Sequence, residues 1–393
     1  MNNIFKIFFL FTLGLIVISC STDDNNNNVA PLRDYSEQYA KDLANVETFM
    51  KTHYMTVTNS PGATEDQNVT FTLIPSGGTQ VSIWDDQNYP KKMREVTVNQ
   101  NDVEIVYKMY YIELRQGTGK SPSNVDRVLT SYRGEYIFST TEQVNGVDVT
   151  TLKSNQFEES INPQSYFNLT GVIRGWSEIF PQFKTGTYLG NSDGTISYND
   201  FGAGVMFIPS GLAYFNSSPG GIPSYSPLIF SFKLYEIQRI DHDGDGIFSY
   251  QEDLNGDGYL YSFAAGIANP DNTNAPGTSV LIGPNKYSKE NEVPDFLDVD
   301  DDGDYFTTKS ETSYINPSDP DPQLTVRYYP YQGTTADDPL TPYVDERKGV
   351  PRKFTGPNNT LGLPASDNPD DFTDLTRLRR YLDVTAKPKF SDQ

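Results

Sequence analysis

A chain of 393 residues is long enough for two or three domains, and 13% aromatic content with 30 Gly and 26 Pro fits a β-rich protein with long loops better than a helical bundle. A net charge of −22 excludes a nucleic-acid binder, which needs a basic surface, and suits cation binding or solubility. The only histidines are His53 and His242, so a His-dependent hydrolase has little to work with.

In chain order, Lys6 precedes the apolar run IFFLFTLGLIVI, which is too short and too early for a membrane-spanning helix. It ends in VISC, with small Ser19 before Cys20. Residues 1–20 therefore resemble a bacterial lipoprotein signal peptide, which implies that Cys20 carries lipid and anchors the chain to a membrane. Cys20 is the only cysteine, so a lipidated Cys20 leaves neither disulfide nor thiol chemistry. Residues 21–33, beginning STDDNNNN, read as a disordered tether. Acidic residues at this point resemble the surface-export signal of lipoproteins from Bacteroidetes-type bacteria. That resemblance implies the outer membrane or cell surface, with the periplasmic face as the alternative.

Residues 34–103 read as an N-terminal helix and β region. The stretch DYSEQYAKDLANVETFMKTHY predicts an amphipathic helix with Tyr39, Leu43, Val46, Phe49 and Met50 on one stripe and Asp34 with Glu37 as a capping pair. Short β-branched runs such as NVTFTLI and REVTVNQ follow, broken by Pro and Gly turns. GTGKS invites a phosphate-loop reading, but Leu114 stands where that motif needs a glycine, so a β-turn is expected.

Residues 104–240 carry the strongest signal. VEIVYKMYYIELR and VDRVLTSYRGEYIF alternate as strands, and Phe230, Phe232 and Leu234 alternate with Ser231 and Lys233 as in a half-buried strand. In VIRGWSEIFPQF, Trp176, Ile179, Phe180 and Phe183 share one face of a short helix, where Pro181 is tolerable only in a first turn. Any one of these aromatics alone would be read as core.

Taken in order, YRGEY, NQFEES, GVIRGWSE, MFIPSGLAYF and GGIPSYSPLIFSFKLYEI resemble the FK506-binding-protein type of peptidyl-prolyl isomerase, from about Tyr107 to Ile237. The resemblance implies an α+β fold, an antiparallel sheet wrapped around a short helix with a pocket between them. Its lining would be Tyr132, Phe157, Val172, Ile173, Trp176, Tyr214, Ile222 and Phe230, with the Ile173 N–H and the Tyr214 hydroxyl bonding the carbonyls of a bound peptide. Glu158 stands where the best-known members have aspartate, and Ser165 or Tyr166 stands in for a pocket phenylalanine. An insertion, GTYLGNSDGTISYNDFGAG, separates the helix from the closing loop. The implied activity is cis–trans isomerisation of proline-containing polypeptides, with no cofactor in catalysis. The alternatives are a non-catalytic proline-peptide chaperone and a calcium-dependent surface interaction protein.

Residues 241–321 are dominated by Asp and Glu. DHDGDGIFSYQE matches an EF-hand-type calcium loop, with ligands from Asp241, Asp243, Asp245, the Ile247 carbonyl, Ser249 and Glu252 and a turn at Gly246. His242 is expected to point outward. Asp253, Asn255 and Asp257 begin a second loop, and Asp300, Asp302, Asp304 and Glu311 a third, with Asp298 allowing another register. These loops resemble thrombospondin type 3 or EF-hand-like repeats. One to three structural calcium ions are expected in this loop-rich region. Residues 322–393 read as a loop-rich tail.

Overall fold

The structure is a computed structural model. It describes residues 31–101 and 103–261, and beyond them the stretches 280–281, 287–288, 294–301, 307–315, 326–329, 350 and 379–382. Cys20, Asp302 and Asp304 lie outside the described residues. No helix among the described residues is long and apolar enough to cross a membrane.

Helix α1 (Tyr35–Thr52) runs into a hairpin of β1 (His53–Val57) and β2 (Val69–Leu73). Then come β3 (Lys91–Gln100), β4 (Val103–Arg115), β5 (Arg127–Val144), β6 (Val147–Ser160), the short β7 (Phe167–Asn168) and helix α2 (Arg174–Ile179). Within the 186–204 insertion, β8 (Thr187–Gly190) and β9 (Ile196–Asn199) form a hairpin, and its last three residues already begin β10 (Gly202–Ile208), which is followed by β11 (Leu228–Gln238). The principal sheet is antiparallel in the order β3-β4-β10-β11-β5-β6, with β7 on β5. This is a mixed α/β architecture around one antiparallel sheet. Lys91–Gln100, placed with the N-terminal region from sequence, is the edge strand of this sheet, paired with Val103–Ile112.

Every residue of β10 is buried, because both faces of the sheet are covered. Side chains alternate across a strand. Met206 and Ile208 therefore join the cluster around Trp176, while Val205 and Phe207 join the one around Val46, Phe49 and Met50 of α1. Continuous burial is what a central strand shows when each of its faces packs on something apolar.

α1 buries more than its apolar stripe, since Gln38 and Asp42 are also buried. The Asp42 carboxylate accepts from the Ser210 N–H at 2.7 Å, from its hydroxyl at 2.6 Å and from Gln38 Nε2 at 2.7 Å. This pins α1 to the loop that leads to Tyr214. Asp42→Ala strands those donors in a dry site and is expected to cost about 1–3 kcal/mol in denaturant unfolding.

Lys233 is also not the solvent-facing residue its alternation implied. Only 7% exposed, it lies beneath residues 64–70, beside a cavity of about 300 Å³, and donates to the Thr64 carbonyl at 2.6 Å. Burial pushes its pKa down from 10.5 to about 8. The folded state disfavours the charged amine, so the destabilisation is complete below pH 8 and fades as the pH rises toward 10.5. Lys233→Met is expected to raise stability near neutral pH by about 1–3 kcal/mol and to flatten that slope, read from denaturant midpoints against pH.

Candidate functional site

Helix α2 opens at Ile173, whose φ of −59° and ψ of 143° are extended, and the Trp176 N–H returns to the Ile173 carbonyl at 3.0 Å. It closes after six residues, and Phe180–Gln182 continues as a separate 3-10 turn with Pro181 at its start. Pro181 thus occupies a first turn, where a missing N–H costs nothing. Gly175 packs so closely on Ile208 that a Cβ would come within 2.6 Å of its side chain, which seats the helix on β10.

Trp176 is 4% exposed and ringed by aromatics. Centroid distances are 5.0 Å to Tyr132, 5.2 Å to Phe230, 5.3 Å to Phe180 and 5.4 Å to Phe167, all edge-on. Edge-to-face contacts hold ring orientation more firmly than burial alone. Phe157 meets Phe230 at 5.7 Å. Tyr132, Trp176, Ile222 and Phe230 are buried as a floor, and Phe157, Val172, Ile173 and Tyr214 are half-buried around it. All eight lining residues expected from sequence therefore belong to one cluster. Gly134, paired with Glu158 across β5 and β6, leaves room for it: a Cβ there would come within 2.5 Å of the Phe157 ring.

Polar groups are few. Burial first, and then the Glu158 carboxylate beside it, raises the pKa of the Tyr132 phenol, and the same two causes raise that of Tyr214. Both hydroxyls stay protonated and serve as donors, with the exposed Glu158 between them and solvent as an acceptor. The Trp176 indole N–H has no hydrogen-bond partner among the described residues. Such a site can grip an apolar ring and orient carbonyls, and it offers no proton shuttle suited to neutral pH.

The first acidic loop folds back on itself. Asp241 accepts from the Gly244 N–H at 2.7 Å and the Gly246 N–H at 3.1 Å, and Asp245 from the Ile247 N–H at 2.7 Å. Gly246, at φ +101°, makes a turn that side-chain-bearing residues rarely adopt. Asp243, Asp245, Glu252 and Asp301 bring carboxylate oxygens within 4.8 Å of one another. Glu252 is 1% exposed, and neither of its oxygens has a hydrogen-bond partner among the described residues. Burial and then the neighbouring Asp245 push its pKa up to about 10, while burial and then Asp245 take Asp243 to about 8. Buried oxygens in excess of donors are the arrangement a hard divalent cation would satisfy.

Asp241 lies in the same loop but is not one of the four, and neither are Asp300 and the fully buried Glu311 of the later segment. The Ser249 hydroxyl, expected as a ligand, is engaged by the His242 N–H at 3.2 Å and Nδ1 at 2.8 Å, so His242 turns in toward the loop and not outward. Asp253, Asn255 and Asp257 form their own exposed turn, with Asp253 accepting from the N–H groups of Gly256, Asp257 and Gly258.

Residues 242–343 match a family model described as BamM C-terminal. No curated protein matches the chain. Among solved structures it is similar to a peptidyl-prolyl cis-trans isomerase from Pseudomonas syringae pv. tomato, at 24% identity over 36% of this chain and 81% of that one, with a TM-score of 0.23. It is also similar to FkpA from Escherichia coli, at 26% identity, 33% and 48% coverage and a TM-score of 0.23, so the match spans about half of that protein. The N-terminal domain of FKBP42 from Arabidopsis thaliana is similar at 13% identity, 37% and 95% coverage and a TM-score of 0.23.

Two residues of these sites escaped the sequence. Phe167, and neither Ser165 nor Tyr166, supplies the remaining aromatic wall: it stands 5.7 Å from Tyr132 and 5.4 Å from Trp176, while the Tyr166 hydroxyl turns away to Glu236 at 2.7 Å. No sequence signal selects it, since the choice within SYF is set by the pairing of Phe167 with Val128, which only the fold shows. Asp301 was passed over because DVDDDGD admits more than one register, and only the fold selects the carboxylate that reaches Glu252.

Proposed function

We propose that the aromatic pocket binds X–Pro segments and catalyses their cis–trans isomerisation. The observation that supports this reading is the Trp176 floor, walled by Tyr132, Phe167 and Phe230 and nearly free of titratable groups. Rotating an amide breaks resonance worth a barrier of about 18–20 kcal/mol but makes and cleaves no bond, so no nucleophile or general base is needed. A dry aromatic surface favours the twisted amide, which has lost its charge-separated resonance form. Donors at Tyr214 and the Ile173 N–H would hold the flanking carbonyls in a turn. Catalysis of this kind is stronger binding of the transition state than of either ground state.

The partners in this reading are exported polypeptides that fold near a membrane, with Cys20 as the lipid anchor at the outer membrane or cell surface. Asp243, Asp245, Glu252 and Asp301 would hold a structural calcium ion, a reading supported by the partnerless, buried Glu252 oxygens. The ion would tie residues 243–252 to the segment around Asp301 and take no part in the isomerisation.

A proline-peptide assay tests the reading. Acceleration of cis–trans exchange that falls when the pocket is altered supports it. Peptide binding without acceleration would identify a chaperone instead.

A further inference from the structure

We infer that Tyr259 and Tyr261, which follow the second acidic loop, are positioning residues for the pocket, acting through Glu178 on the helix that carries Trp176. The inference rests on the isomerase reading of that pocket and deepens it.

A six-residue helix is too short to hold itself, and α2 has no side-chain cap. Trp176 and Glu178 are two positions apart, so they project from nearly opposite sides of it. One side is fixed by the aromatic cage. The other is fixed by Glu178, which is 0% exposed. Its carboxylate receives Arg94 from the edge strand at 2.8 and 2.9 Å and Arg174 at 2.6 Å. The Tyr261 hydroxyl reaches both carboxylate oxygens, at 2.8 and 2.9 Å.

The two tyrosines complete this site. The Arg94 guanidinium lies 3.4 Å from the Tyr259 ring centroid, and that of Arg174 4.4 Å from the Tyr261 centroid. Each ring thus covers one side of a cation, a cation–π contact, while the Glu178 carboxylate between them is fully buried. The Tyr259 hydroxyl donates at 2.7 Å to the Glu178 backbone carbonyl, near the C-terminal end of a helix whose last carbonyls lack intrahelical donors, and accepts from Gln182 Nε2 at 2.7 Å. The last strand of the principal sheet ends at Gln238, so these contacts come from the segment that follows the sheet in the chain.

The tyrosines are themselves held in phase. Asn124 clamps Leu260 between them from both sides, donating to its carbonyl at 2.9 Å and accepting from its N–H at 2.8 Å, and the Asp257 carboxylate accepts from the Tyr259 N–H at 2.8 Å. The geometry therefore connects the acidic region to the pocket floor by one run of direct contacts.

The test uses the full-length protein in detergent with Trp84→Phe, which leaves Trp176 as the sole tryptophan reporter. The variants are Tyr261→Phe alone and Tyr259→Phe with Tyr261→Phe, which keep the rings and remove the hydroxyls. We expect Trp176 emission to shift and kcat/KM for a proline peptide to fall about 5–20-fold in the double variant, mostly through KM, with a smaller change of the same kind in the single variant. Restoring either hydroxyl should recover part of the loss. Unchanged Trp176 emission and kcat/KM in folded variants would overturn the inference. If the wild-type protein accelerates no isomerisation, the isomerase reading fails by itself. The emission shift and the affinity for the peptide then still decide whether Tyr259 and Tyr261 position the pocket.

Discussion

Truncating Trp176 to alanine is expected to cost about 3–5 kcal/mol of stability and to abolish acceleration of prolyl isomerisation. The indole touches four aromatic rings and sits at 4% exposure, so its removal leaves a cavity that six residues of α2 and a strand on either side cannot collapse to fill. Stability and activity fall together in that variant, so it needs a partner in which they separate. Tyr214→Phe provides one. Tyr214 is only half-buried against the core, and its hydroxyl lies in the field of Glu158 at the rim. Losing that hydroxyl is expected to leave the melting transition within about 0.5 kcal/mol of wild type. It should still lower kcat/KM about 3–10-fold, the worth of one hydrogen bond to a peptide carbonyl. Equal activity in Tyr214→Phe and wild type would remove that hydroxyl from the mechanism.

The second large effect concerns the acidic region. Calcium at about 100 times its dissociation constant should stabilise the protein by about 2.7 kcal/mol. Glu252→Gln should act with opposite signs in two media. Without calcium, burial holds Glu252 protonated, so the amide removes the cost of taking up that proton on folding, and stability near neutral pH should rise by about 1–3 kcal/mol. With calcium, the variant should gain little or nothing. Thermal unfolding in calcium and in chelator measures both arms. A variant that responds to calcium as fully as wild type would place the ion elsewhere, and one destabilised in both media would make Glu252 a structural residue.

The aromatic cluster around Trp176 was legible because its residues come in short runs whose order is itself informative. Val172, Ile173 and Trp176 lie within one helix start, and Tyr132, Phe157 and Phe230 come from β5, β6 and β11. Phe167 was not legible, because the choice among three adjacent side chains depends on how β7 pairs with Val128. The amphipathic stripe of α1 was readable, but the burial of Gln38 and Asp42 was not. Their burial requires the Ser210 loop, 168 residues from Asp42, to bring donors to that face. Lys233 followed the alternation rule and still ended under cover, since the rule assigns a face and cannot say what lies over it. Glu178 drew no reading from the sequence. Only Arg174 is a local partner; the others are 84 residues upstream and 83 downstream, and no local pattern announces them. The acidic loops show the same division: spacing identified Asp243, Asp245 and Glu252, and the fold alone selected Asp301.

The most direct measurement is the rate of cis–trans exchange in a proline peptide, with and without the protein, from about pH 5.5 to about pH 8.5. An aromatic site that favours the twisted amide without moving a proton predicts acceleration that is flat across this range and abolished by Trp176→Ala. Exchange at the uncatalysed rate while peptide is bound, or acceleration that follows a titration curve, would contradict it.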